Sequence, residues 1–135
     1  MKTYAFRLRP GQDLKLEIER YAKANNIQAG FIVTCVAGLE QATLRMAGAM
    51  PDKQDIRTFE GALEVTSLVG TVSVNGCHLH LSVSDKEGKA FGGHLKEGTL
   101  VHPTAEVVIG EAENLVFARE PDEDTGFDEL VVIDR

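Results

Sequence analysis

Tryptophan is missing altogether, only two cysteines occur, and the 135 residues hold 14 basic side chains against 21 acidic ones. Each shortage excludes something. Two cysteines, Cys35 and Cys77, are too few for a disulfide-stapled scaffold, and neither belongs to a CxxC metal or redox motif. Both lie in apolar, strand-like segments, where a reduced thiol packs as a small hydrophobe. The formal net charge of −7 sets up a field that repels a phosphate backbone. A local basic patch can be built from Arg7, Arg9, Lys15, Arg20 and Lys23, although scattered cations ordinarily form a solvated face.

No stretch of about 18 apolar residues is present to cross a bilayer as a helix. Residues 1–7 alternate polar and apolar side chains and lack the apolar core of a secretory signal. The expectation is a cytoplasmic protein. Phosphate-binding glycine loops are lacking too: Gly92-Gly93 is not followed by the Lys-Ser or Lys-Thr of a P-loop, and no GxGxxG occurs. None of Ser67, Ser73, Ser82 and Ser84 stands in a GxSxG elbow, which argues against a serine hydrolase.

What is present is concentrated in residues 65–95, which hold three of the four histidines. Asn75-Gly76 separates two runs rich in β-branched and alternating residues, the pattern of a two-residue hairpin turn with positive φ at both positions. This pairs residues 68–74 with 77–83 and sets Val74 opposite Cys77, Ser73 opposite His78 and Thr71 opposite His80. His78 and His80 then share one face with Thr71, Ser73, Ser82 and Ser84, while Cys77, Leu79, Leu81 and Val83 point to the core. Residues 85–88 read as a second turn, and Gly92-Gly93 lets the backbone bend and approach closely, bringing His94 back beside the pair.

Three imidazoles converging from an i, i+2 strand pair and a nearby loop make the ligand set of an open, water-bearing zinc-type site. The alternative is that these histidines are solvated or bonded to the neighbouring hydroxyls. Spacing does not distinguish zinc from nickel, copper or iron(II).

The rest of the chain reads as follows. Tyr4, Phe6 and Leu8 alternate in a strand ended by Pro10-Gly11. Asp13 caps a helix running to about Asn25, with Leu14, Ile18, Tyr21 and Ala22 on one face. Residues 29–38 form a near-continuous apolar strand, expected to be covered on both faces. Residues 40–47 form a further strand, and 48–58 a polar connection or mobile lid. Strands at 105–109, 114–119 and 127–133 follow, with residues 120–128 as an acidic turn. Neither an internal repeat nor a second domain is evident.

Three further residues have candidate roles. Glu64 is the candidate catalytic acid or base, or an anchor for a ligand histidine's second nitrogen, yet counting by twos from Val74 puts it on the core face unless a bulge intervenes. Its alternative is a hydrogen-bonded structural carboxylate. His102, before Pro103, is expected to be an ordinary surface histidine. Glu106 alternates with Val107 and Ile109, and either pairs with Arg7, Arg9 or Arg45 or lines the histidine cavity.

Taken together, EVTSLVG at 64–70, His78-Leu79-His80, Gly92-Gly93-His94 and TAEVVI at 104–109, with RLRPG at 7–11 and Val36-Ala37-Gly38, resemble the PPC domain conserved in plants and prokaryotes. The resemblance covers nearly the whole chain. It implies one α+β (α/β) domain over 1–135, an antiparallel sheet with one main helix packed on it, assembled as a homotrimer. For stand-alone prokaryotic members it implies a divalent metal, zinc foremost, on His78, His80 and His94. Plant members carry AT-hooks before this domain, but no Arg-Gly-Arg-Pro occurs here, so DNA is not the expected partner. Two function classes follow: a metal-dependent hydrolase, lyase or sensor of a small molecule, or a trimeric interaction or DNA-binding module without catalysis.

Overall fold

The computed structural model describes residues 1–135. Strand β1 (Lys2–Leu8) turns Tyr4, Phe6 and Leu8 inward, as their alternation requires. Asp13 then caps helix α1 (Leu14–Ala24): its Oδ1 accepts the Leu16 amide at 3.0 Å, while Oδ2 accepts the Gly98 amide at 2.7 Å. One carboxylate thus satisfies an orphan helix donor and pins the helix start to a distant turn. Leu14, Ile18 and Ala22 are buried, and Tyr21 stacks on Phe6 with ring centroids 4.0 Å apart. Asn25 ends the helix and Asn26 takes the left-handed conformation at φ 52.

Five further strands complete the main sheet: β2 (Ala29–Arg45), β3 (Ile56–Ser73), β4 (Gly76–Ser84), β5 (Ala90–Leu95) and β6 (Leu100–Glu111). Their order is β1-β6-β2-β3-β4-β5, all antiparallel, and β5 also pairs with the far end of β2 at Leu44 and Arg45. Strands β2, β3, β4 and β5 therefore close on themselves. Leu39, Leu44, Leu79, Leu81 and Leu95 are among the fully buried side chains of this core. Each contributes roughly 1.5–3 kcal/mol by leaving water.

Several elements differ from the sequence expectation. Residues 29–45 form one strand, not two, kinked by an irregularity between Leu39 and Gln41. Cover on both faces is not found. A single helix can cover only one side, and Val33 and Val36 on the other side of β2 are 49% and 62% exposed. Strand β3 begins at Ile56, inside the expected loop, and the remaining connection is closed by reciprocal Met50 and Lys53 backbone bonds of 2.9 and 3.0 Å.

The central hairpin forms, but its register is shifted by two residues. Thr71 faces His78, Val69 faces His80, and Ser73 pairs with Gly76, so the turn residues are Val74 and Asn75. Asn75 does not take the expected positive φ, and its side chain reaches another strand: Nδ2 donates to the Arg119 carbonyl at 2.9 Å and Oδ1 accepts the Arg119 amide at 2.8 Å. A shift of two preserves the alternation, so the histidine pair and the buried Leu79, Leu81 and Val83 keep their expected faces.

Asn75 thereby docks a second, two-stranded sheet, β7 (Leu115–Pro121) paired with β8 (Asp128–Asp134). The acidic turn between them is closed by Asp122, whose side chain accepts the Asp124 and Thr125 amides at 2.9 and 3.1 Å. At the other end of the ribbon lies Glu111, 4% exposed. It accepts the Tyr4 hydroxyl and the Gln28 amide, each at 2.9 Å, and Arg135 at 3.4 Å. No helix is long and apolar enough to cross a membrane.

Candidate metal centre

His78 and His80 flank Leu79 on β4, so anchoring that leucine in the core, where it is 1% exposed, aims both imidazoles outward. His94 stands on β5 directly opposite His80. It is a strand residue and not a loop residue. The preceding glycines neither bend the chain nor adopt positive φ; they let β5 fit between its neighbours. A Cβ at Gly93 would lie 2.7 Å from the Arg45 carbonyl oxygen, and one at Gly92 would strike the Leu81 carbonyl oxygen.

The three rings gather tightly. Centroid separations are 4.9, 5.0 and 5.7 Å, His78 Nε2 lies 3.2 Å from His80 Nε2, and one ring nitrogen of each histidine lies within 4.8 Å of the others. Burial, reinforced by the Arg45 guanidinium, pushes His94 down to about 3. Burial and the Arg119 charge likewise lower His78. The two are neutral imidazoles at pH 7, the form that donates a lone pair.

Cationic and aromatic side chains ring the cluster. Arg45 Nη2 sits 3.3 Å from His94 Nδ1, and its guanidinium carbon is 5.3 Å from the centre of the Phe127 ring. Arg119 reaches over from β7, donating from Nη2 to Thr71 Oγ1 at 3.0 Å while its buried Nε has no partner. A cavity of about 370 Å³ opens between Arg45, His78, His94, Arg119 and Phe127, with Asp128 and Glu129 on its wall. Two adjoining hollows reach His80, one past Met46 and Gly93, the other past Val69 and Glu129.

The remaining candidates lie elsewhere. A bulge between Val65 and Ser67 reverses the alternation of β3, so Glu64 is exposed and not core-facing. It lines a separate cavity of about 770 Å³ with Glu40 and His102, and it pairs with Ser84 at the far end of β4 from His78. At about 3.3 Å per residue, the five residues from Glu64 to Val69 put it roughly 16 Å from the His80 position. Glu106 is exposed opposite Arg7 and Val36 and touches no histidine cavity. Cys77 points inward, its thiol 3.5 Å from Glu19 and pushed up to about 12 by burial first and by that carboxylate. It takes no part in the cluster, and Cys35, buried and pushed up to about 11, is equally inert.

Arg45, Arg119, Phe127 and Glu129 were not singled out for the site from the sequence. Arg45 becomes a neighbour only because β2 pairs with β5, setting Arg45 opposite His94. The other three come from a ribbon whose docking no local pattern announces.

These features define an antiparallel β-domain carrying one half-buried three-histidine cluster. Its lineage is equally plain: residues 1–113 match the Plants and Prokaryotes Conserved (PCC) domain, and the chain belongs to that family. A hypothetical protein from Salmonella shares the fold with TM-score 0.93 at 39% identity, over 99% of this chain and 94% of its own. A metal-containing protein from Archaeoglobus fulgidus follows with TM-score 0.81 at 26% identity, over 97% and 94% of the two chains. A candidate DNA-binding protein from Bacteroides thetaiotaomicron shares the fold with TM-score 0.86 at 21% identity, over 96% and 91%. Among curated proteins, the bifunctional protein GlmU of a Synechococcus strain is 43% identical over 96% of this chain. The chain spans a fifth (20%) of that protein's length.

Proposed function

We propose that this chain binds a divalent transition metal, zinc foremost, through His78, His80 and His94, and that the open side of the centre receives a small oxygen-bearing ligand. The observation that supports it is the convergence of three ring nitrogens within 4.8 Å on two adjacent strands. The donor chemistry fits. Three imidazoles with no protein ligand in the fourth position are the set an open zinc centre uses, and His78 and His94 are held unprotonated. The metal found in the Archaeoglobus relative, 26% identical, agrees with that reading.

When bound, the metal would supply a Lewis-acidic position that polarises an oxygen or lowers the pKa of water. The protein's own part is positional. Buried Leu79 and Leu95 fix the strands, His80 and His94 face each other across one register, and Asp128 and Glu129 are the carboxylates on the cavity wall. Glu64 is too far away for that task.

The homotrimer belongs to the same proposal. Val33, Val36 and Val69 are 49%, 62% and 54% exposed, apolar side chains that a second copy would cover. The second reading, a trimeric interaction or DNA-binding module, draws on that surface and on the description of the Bacteroides neighbour. A net charge of −7 weighs against a duplex.

Elemental analysis of protein purified without chelators, together with its mass in solution, tests these points. About one metal per protomer in a trimer is expected. Metal-free protein that refuses added zinc would overturn the metal reading, and salt-sensitive retention on duplex DNA would favour the second.

A further inference from the structure

Arg45 and Arg119 are the two guanidiniums of the histidine cavity, and neither makes an ion pair. Arg45 instead touches His94 and Phe127, and Arg119 spends one nitrogen on Thr71 and leaves its buried Nε unsatisfied. A buried donor without an acceptor costs on the order of 1–3 kcal/mol, a cost relieved if Arg119 turns its Nε toward a ligand oxygen in the cavity. The planar guanidinium fork matches the two oxygens of a carboxylate or a phosphate.

We infer that Arg45 and Arg119 form an oxyanion clamp beside the histidines, and that the ligand of this site is a small carboxylic acid. Its carboxylate lies on the guanidiniums and the rest of the molecule faces the imidazoles. The inference rests on the reading of the histidines as the functional centre and names the class of ligand it serves. The charges on the wall narrow the class. Asp128 and Glu129 match the two arginines in number, so the wall is formally neutral, and stripping water from a dianion such as phosphate costs more there than from a single negative charge. A volume of about 370 Å³ accommodates a ligand of only a few carbon atoms beyond the carboxylate. Arg119, Phe127, Asp128 and Glu129 all lie beyond residue 113, where the match to the family ends. The C-terminal ribbon therefore supplies the clamp's Arg119 and its acidic wall to a centre whose histidines lie within the family match.

The test titrates acetate into metal-free protein at constant ionic strength and follows the Arg119 Nε–H resonance, with sodium chloride and inorganic phosphate as comparison probes. A saturable shift with acetate, absent with chloride and weaker with phosphate, is expected. Arg119→Gln should weaken acetate binding roughly tenfold to a hundredfold, and Arg119→Lys, which keeps the charge but not the fork, should weaken it nearly as much. Both variants are first checked for a native amide spectrum. No saturation, an equal response to chloride, tighter phosphate binding, or unchanged acetate affinity in both variants overturns the clamp. Zinc uptake by the same samples separates the two readings. Zinc without acetate overturns the clamp alone, and acetate without zinc upholds it while the metal reading falls.

Discussion

Arg45 stands opposite His94 across the β2–β5 pair, and its Nη2 lies 3.3 Å from His94 Nδ1. This contact and metal ligation by His94 are mutually exclusive. A metal on Nδ1 takes the lone pair that Arg45 addresses. A metal on Nε2 requires a hydrogen on Nδ1, leaving two donors face to face. Loading the centre therefore releases the guanidinium from the ring.

Removing this competitor should strengthen metal binding. Arg45→Met is expected to raise zinc affinity at least about tenfold, the worth of one hydrogen bond to a charged group. Competition against a chromogenic chelator measures it, and equal or weaker affinity would show that the contact does not oppose the metal.

Loss of a ligand should act in the opposite direction. His80→Ala is expected to lower metal content by more than the roughly tenfold to hundredfold typical of losing an outer partner, because it leaves two of three donors. His102→Ala, in a different cavity, should change nothing. Elemental analysis of the pair decides the ligand assignment.

Glu111 ties the chain's two ends to the sheet. Burial alone would raise its carboxyl, but hydrogen bonds from the Gln28 amide, Tyr4 and Arg135 outweigh burial and hold it below its ordinary value of 4.5. A lowered folded pKa means that the unfolded chain binds the proton more readily. This stabilisation is therefore complete above about pH 4.5 and is lost as pH falls through the folded value. Glu111→Gln should cost about 1–3 kcal/mol at neutral pH and flatten the acid limb of the stability curve, as read by urea unfolding across pH.

Gly70 couples backbone geometry to the site. Its φ is +141, and a Cβ there would run into the His78 carbonyl oxygen. Gly70→Ala is expected to destabilise by roughly 2–4 kcal/mol and to reduce zinc uptake in the fraction that folds, since the hairpin must open beneath His78. Unchanged unfolding midpoints would show that the strand tolerates the shift.

Asn75 holds the ribbon that carries Arg119. Asn75→Ala removes two hydrogen bonds of 2.8 and 2.9 Å and should cost about 1–2 kcal/mol. Hydrogen exchange at the Arg119 amide should quicken more than at amides of β2. Equal protection in the variant would mean that packing alone holds the ribbon.

Much of this was legible because it is local. Alternation in β1 and β4, the Asp13 cap and the HLH spacing declare themselves over a few residues, and period-two alternation survives a register error of two. For the same reason a turn misplaced by one residue still puts His78 and His80 on one face. The parity of Glu64 was not legible, since one bulged residue in β3 reverses it and nothing in VTS marks the bulge.

The amino-acid order by itself determined the faces of β1 and β4, the helix start, the acidic field and the pairing of His78 with His80 on one face, since each depends on composition or on neighbours within a turn or a strand. Only the tertiary structure decided what surrounds those imidazoles. Arg45 arrives because β5 returns to the end of β2, and Arg119 and Phe127 arrive because Asn75 docks a ribbon some forty positions further along. Such encounters depend on where the sheet closes, a property of the whole chain that no window of sequence contains.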